Sequence, residues 1–216
     1  MDLIIAVDGP AASGKGTIAQ RLAAAYGLPF LDTGMLYRAV GAALLAEGRD
    51  PGDPGSAEAV ALTLDMDAVD PEAIRSGPAG EAASQVAAHP GVRKALLKLQ
   101  QDFARQPGGA VLDGRDIAAV IAPQAQAKLF VTASAPVRAR RRWLQLDARG
   151  EGVSYEAVLA DIERRDARDS GRADAPLVQA ESAVLLDTTQ LSIDEAADAA
   201  RRIVETARAL WRSKES

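Results

Sequence analysis

The segment Gly9-Pro10-Ala11-Ala12-Ser13-Gly14-Lys15-Gly16-Thr17 has the residue types and spacing to hold a polyphosphate. Glycines let a backbone wrap so that successive N–H groups converge on phosphate oxygens. The N-terminus of a following helix adds its dipole to the same anion. Lys15 has the reach for β- and γ-phosphates, and a hydroxyl just after it can ligate Mg²⁺. Gly16 stands where Ser or Thr is usual, and the hydroxyl comes one position later. The metal or phosphate contact is therefore assigned to Thr17. The plainer alternative, a Gly-rich turn without a ligand, does not explain a strand, a loop and a helix in register.

Other charged groups lie at places where a ligand could use them. In Leu31-Asp32-Thr33-Gly34-Met35-Leu36-Tyr37-Arg38, Asp32 or Thr33 can cap a helix, and Arg38 lies about one turn in, able to reach an anion. In Val111-Leu112-Asp113-Gly114-Arg115-Asp116 a buried strand ends in three charges and a glycine. Such a group is too expensive for a core without partners, and ligands of open α/β sheets bind beyond the carboxyl ends of strands. Asp113 can hold a metal-bound water, and Arg115 can grip a phosphate through two nitrogens. Arginines then crowd between Arg138 and Arg172. Arg138, Arg141 and Arg142 share a helix face, and the chain continues to Arg164, Arg165, Arg168, Asp169 and Arg172. Guanidinium groups here would neutralise charge on a phosphoryl group in transfer. A solvated, salt-bridged face is the simpler reading for Arg140 and Arg149.

These residues need a frame. Leu3–Val7 is a short apolar run that ends at Asp8-Gly9-Pro10, as a buried parallel strand would. Helical spacing follows from about 14 to 26, stopped by Gly27, with a second short strand at 28–31 and a helix from about 34 to 47. Residues 49–78, rich in Pro, Gly and Asp, are expected to be irregular, with one short helix near 57–64. A long helix is expected over about 79–105, broken at His89-Pro90-Gly91. Strands are expected at 110–112, 128–132 and 183–186. Ser134 and Ser154 are expected to cap helices reaching about Arg149 and Arg168, and Ser192 with Glu195 forms a capping box for a last helix. Short apolar strands alternating with helices predict a three-layer α/β fold with a parallel sheet.

Composition narrows the chemistry. The net charge is −5, with no cysteine and a single His89. Thiolate metal sites, disulfides, multi-His metal sites and Ser-His-Asp triads are thereby excluded. The N-terminal apolar run is too short for a signal peptide or a membrane span, so a cytoplasmic protein is expected, with no membrane partner. An acidic chain whose aromatic residues are few and not interleaved with its arginines is a poor nucleic-acid binder, so none is expected. A GTP-driven switch reads guanine through an Asn-Lys-x-Asp motif, and this chain has no asparagine.

The motifs taken together resemble those of the nucleoside monophosphate kinases and, within that group, of the bacterial cytidylate kinases. The matching segments are Asp8–Thr17, Leu31–Arg38, Ala82–Arg93 with Asp113–Asp116, and Arg165–Pro176. The resemblance implies a P-loop fold in one kinase domain: a core of about 1–33, 106–137 and 173–216, a monophosphate-binding part of about 34–105, and a helical-hairpin lid of about 138–172. It also implies transfer of the γ-phosphoryl group from ATP to CMP and dCMP, with Mg²⁺; a monomer acting on small-molecule nucleotides is expected. Residues 9–17 would bind ATP. Lys15, Arg138, Arg142 and Arg165 would act on the transferred group, and Thr17 and Asp113 would serve the metal. Asp32, Thr33, Arg38, Ser84, Arg93, Arg115, Asp116, Arg165, Asp169 and Arg172 would bind the acceptor. Of these, Ser84, Arg93 and Asp116 would read the base, Arg38, Arg115 and Arg172 would hold the phosphate, and Arg165 and Asp169 would contact the sugar. Segment 65–76 is shorter than the strand-bearing insert of that family, so a reduced insert is expected. A kinase acting on UMP, AMP or a shikimate-type acceptor stays open at this point.

Overall fold

Strand β1 (Leu3–Asp8) is buried from Ile4 onward. A strand apolar on both faces belongs in the middle of a covered sheet, and that is its place in a computed structural model that describes residues 2–215. With β2 (Phe30–Asp32), β3 (Gly109–Gly114), β4 (Ala127–Thr132) and β5 (Val184–Asp187), it forms a five-stranded sheet of order β2-β3-β1-β4-β5. β1 runs parallel to β3, with Asp8 opposite Gly114, and parallel to β4. β4 runs parallel to β5. Helices α1 (Lys15–Tyr26) and α9 (Ile193–Glu215) pack on this sheet. Ile18 and Leu22 of α1 and Val204 of α9 share a buried cluster with Ile5, Val7, Val111, Leu129 and Val131. Each such side chain contributes about 1.5–3 kcal/mol by leaving water. The expected α/β architecture, with helices flanking a parallel sheet, is the one observed.

The chain divides into two compact units. The larger holds the sheet and comprises the residues up to Leu31 and from Ala104 onward. It includes a helical hairpin, α7 (Ala135–Asp147) and α8 (Tyr155–Ser170), packed through Ala139, Leu146, Val158 and Ile162. Trp143 Nε1 donates to Val153 O across the hairpin, 3.0 Å.

The smaller unit, Asp32–Phe103, is helical: α2 (Thr33–Ala46), α3 (Pro54–Leu62), α4 (Pro71–Arg75), α5 (Gly77–Val86) and α6 (Pro90–Ala104), with a 3₁₀ turn at Met66–Ala68. Leu36, Val40 and Leu44 of α2 meet Ala57, Ala83, Val86, Val92 and Leu96 in its core.

Several local expectations change. The stretch 49–78 is mostly helical, because Asp53 before Pro54 and Asp70 before Pro71 are helix starts: each carboxylate accepts a backbone N–H, from Ser56 and Glu72. The break at His89 holds, and His89 Nε2 lies 2.9 Å from Pro51 O. Ser154 caps α8 through Ala157 N, and Ser192 with Glu195 forms its box. Ser134 does not cap α7 with its side chain. Instead its N–H donates to Thr189 Oγ1, which fixes the chain as it enters the helix. α7 stops at Asp147, short of Arg149. A five-residue π-helical turn, Ile117–Ile121, follows β3 where no element was expected. No described helix is long and apolar enough to cross a membrane.

Candidate active site

The loop 9–14 leaves the carboxyl end of β1, and Lys15 opens α1. Gly14 takes φ 89°, and Ala12, at φ 60°, is left-handed despite its Cβ. Left-handed residues alternating along a loop make a concave row of N–H groups suited to an anion. Lys15 Nζ lies 3.7 Å from Asp113 Oδ1, at the end of the neighbouring strand β3. Asp113 is buried, and a Cβ on Gly16 would stand 3.0 Å from its Oδ2. The glycine after the lysine thus makes room for the Asp113 carboxylate. Thr17, displaced by one position, is exposed on the first turn of α1.

Beyond β3, Arg115 and Asp116 part ways. Arg115 Nε donates to Asp169 Oδ2 of α8 at 2.9 Å, and Arg172 hydrogen-bonds the other oxygen of the same carboxylate. Burial alone would raise the Asp169 pKa, but Arg115 and Arg172, with Arg165 nearby, outweigh it and hold the carboxyl below the ordinary range. Arg165 also lies 3.9 Å from Asp161. Asp116 is buried where the π-turn begins. The turn itself is held by Asp8, whose two oxygens accept from Ile117 N and Ala118 N, both at 2.8 Å. Desolvation pushes the Asp8 pKa up to about 6 against the pull of those two bonds.

The hairpin arginines have distinct surroundings. Arg138 is buried and paired through both terminal nitrogens with Asp166. Arg141 donates to Thr188 Oγ1 and Thr188 O. Arg142 is partly buried, and that burial lowers its pKa; Glu151, Arg149 and Asp161 are its charged neighbours.

In the smaller unit, Asp32 caps α2 by accepting from Gly34 N at 2.9 Å, and Thr33 is buried. Arg38 donates to Ile74 O and Ser76 O. Gly80 leaves room for it, since a Cβ there would come within 3.0 Å of the guanidinium. Ser84 and Arg93 are both buried, on α5 and α6. Ser84 Oγ has no hydrogen-bond partner among the described residues.

Sequence reasoning missed Asp8, Asp166 and Thr188 as parts of this site. Asp8 sat in the motif with no role assigned. Arg141 was placed on the right helix face but given no task of its own.

A parallel sheet whose central strand feeds a glycine-rich loop, with a lysine at the helix start and an acidic residue on the next strand, is the arrangement of a P-loop protein. The family model for cytidylate kinase matches residues 5–206. The chain belongs to that family and is a kinase. It is 63% identical over 212 residues to a cytidylate kinase of Caulobacter vibrioides, covering 98% of this chain and all of that one. It is 66% identical over 207 residues to a cytidylate kinase of Xanthobacter autotrophicus, covering 96% and 99%. A solved structure of an uncharacterized protein from Eubacterium ventriosum superposes with TM-score 0.57 at 15% identity, covering 94% of this chain and 99% of that one, a likeness of fold.

Proposed function

We propose that the chain moves the γ-phosphoryl group of ATP to the phosphate of CMP or dCMP, giving ADP and CDP or dCDP. The observation that carries the proposal is the arrangement Arg115–Asp169–Arg172, in the same unit as the loop. Two guanidinium groups offer a phosphate bidentate donors, while the carboxylate that orients them suits a sugar hydroxyl.

An acceptor phosphate oxygen attacks the γ-phosphorus, and the bond from that phosphorus to the β–γ bridging oxygen breaks. The attacking oxygen is ionised near neutral pH, so no general base is required, and catalysis consists of alignment and charge neutralisation. Lys15 stands at the loop's mouth for the β- and γ-phosphates, with Arg142 and Arg165 assigned to charge on the transferred group. Within the larger unit, Asp116 is assigned to the base, Arg115 and Arg172 to the acceptor's phosphate, and Asp169 and Arg165 to its sugar. Within the smaller unit, Ser84 and Arg93 are assigned to the cytosine ring and Arg38 to the phosphate, with Asp32 and Thr33 at the helix start. The buried, unpartnered Ser84 hydroxyl supports a polar ligand there.

The residues present fit Mg²⁺ in kind. Thr17 and Asp113 offer oxygen donors, and the described residues contain no cluster of three or more acidic, His or Cys side chains. That suits a cation that keeps most of its waters and binds mainly to phosphates. When bound, Mg²⁺ would neutralise charge on the β- and γ-phosphates. We place the reaction in the cytoplasm and assign it to a monomer acting on free nucleotides. The net charge of −5 supports a free nucleotide over a polynucleotide.

The test is an ADP-release assay across CMP, dCMP, UMP, AMP and shikimate as acceptors. CMP and dCMP should give kcat/KM at least about 100-fold above the others, the scale of two to three kcal/mol in specific contacts. Equal turnover of UMP or AMP would overturn the assignment of Ser84, Arg93 and Asp116.

A further inference from the structure

The left-handed turn at Ala12 costs a residue with a Cβ about 1–2 kcal/mol, so something must hold it. In a trans peptide the C=O and N–H point in opposite directions, and every described peptide bond is trans. Fixing the carbonyl of Ala11 therefore fixes the N–H of Ala12, and fixing that of Ser13 fixes the N–H of Gly14. Both carbonyls are held from behind. Arg138 Nη1 donates to Ala11 O at 3.2 Å. Thr188 Oγ1 lies 3.0 Å from Ser13 O and 3.1 Å from Thr132 O and shares its one proton between them, and Arg141 Nη1 reaches Ser13 O at 3.4 Å.

The holders are themselves immobilised. Arg138 Nε donates to Ala133 O at 2.8 Å, and its pair with Asp166 ties it to α8. Arg141 Nη2 donates to Thr188 O at 2.7 Å. Arg138 and Thr188 are buried at 4% and 2% exposure, so solvent competes little for these bonds.

We propose that Arg138, Arg141 and Thr188 are positioning residues for the phosphoryl donor: acting through the carbonyls of Ala11 and Ser13, they aim the N–H groups of Ala12 and Gly14 at its phosphates. Arg138 thereby changes from an arginine on the transferred group to one that shapes the loop. The first turns of α7 are part of the donor site's rigid frame, and charge neutralisation is left to Lys15, Arg142 and Arg165. The proposal rests on the reading of loop 9–17 as the donor's phosphate site.

The test is ADP binding to the full chain by titration calorimetry, with no acceptor present, alongside steady-state KM for ATP and for CMP. Thr188→Val keeps the side-chain shape and removes the donor to Ser13 O. It should weaken ADP binding about fivefold to tenfold, the scale of one net hydrogen bond. KM for ATP should rise in step, while KM for CMP stays within about twofold. Thr188→Ser should restore ADP affinity, and Arg141→Met should reproduce the Thr188→Val pattern if that variant folds poorly. Unchanged ADP affinity in both, equal rises in both KM values, or no rescue by serine would overturn the proposal. Should CMP prove not to be the acceptor, the ADP measurement still stands, because no acceptor enters it.

Discussion

Gly16 and Asp113 are set so closely that a methyl group on the glycine would stand 3.0 Å from Asp113 Oδ2. Asp113 is buried at 1% exposure and has Lys15 Nζ 3.7 Å from its other oxygen. The carboxylate takes the space a side chain after the lysine would fill, and the hydroxyl passes to Thr17. Gly16→Ser, which returns a hydroxyl to the usual position, is expected to impair the enzyme. Turnover should fall about tenfold or more, since small misplacements near reacting groups are expensive, and half-saturating Mg²⁺ should rise. Kinetics at varied Mg²⁺ check this; wild-type behaviour would mean Asp113 has room to yield.

Ser84→Ala should separate stability from function. A buried hydroxyl without a partner costs about 1–3 kcal/mol of desolvation, so its removal should leave the melting temperature unchanged or raise it. KM for CMP should rise about tenfold if one hydrogen bond to the ligand is lost. A lower melting temperature with unaltered KM would show the hydroxyl to be structural.

Asp169→Asn leaves Arg115 and Arg172 facing a neutral group in a buried site. The loss should be about 3 kcal/mol, as when one member of a buried ion pair is removed. The pH dependence has a definite sign. The folded pKa lies below the ordinary value of 3.8, so the unfolded chain takes up the proton first as pH falls. The stabilisation from Asp169 is complete above about pH 5 and disappears as pH drops through the folded value. Denaturant melts of the wild type and Asp169→Asn should differ by a constant amount from pH 8 to 5 and converge in stronger acid.

Asp8 behaves in the opposite way. Its folded pKa is raised from 3.8 to about 6, so the folded protein holds this proton more tightly than the unfolded chain. Its contribution to stability therefore declines as pH rises from about 4 to about 6 and is constant above. Carbon-13 NMR of labelled aspartate carboxyls should show one midpoint near 6 that is missing in Asp8→Asn. An Asp8 midpoint below 4 would mean that the bonds from Ile117 and Ala118 dominate over desolvation.

Features encoded by neighbours in the chain were legible beforehand. The loop from Gly9, the strand-end charges at Asp113–Asp116 and the box at Ser192 each depend on residues a few positions apart. The helix expected near 57–64 is α3, which begins earlier, at Pro54, because proline after an N-capping aspartate opens a helix. α4 opens in the same way at Pro71 and was not expected in a stretch read as irregular. The partnership of Arg115 with Asp169 spans 54 positions, and the bond from Thr188 to Ser13 spans 175. No local pattern records such pairs; the parallel sheet brings them together. The π-turn at Ile117–Ile121 was hidden for the same reason. Its apolar residues carry no signal of their own, and the carboxylate that starts it belongs to Asp8, 109 positions earlier.

The tryptophans give the two units different optical signatures. Trp143, tied to Val153 across the hairpin, and Trp211 on α9 both lie in the unit that holds the sheet, and Asp32–Phe103 contains no tryptophan. Indole emission therefore follows the sheet-bearing unit alone, while far-ultraviolet ellipticity sums the helices of both. Coincident melting curves by the two probes would establish a single cooperative transition, and separated curves would show the helices of the smaller unit melting independently of the sheet.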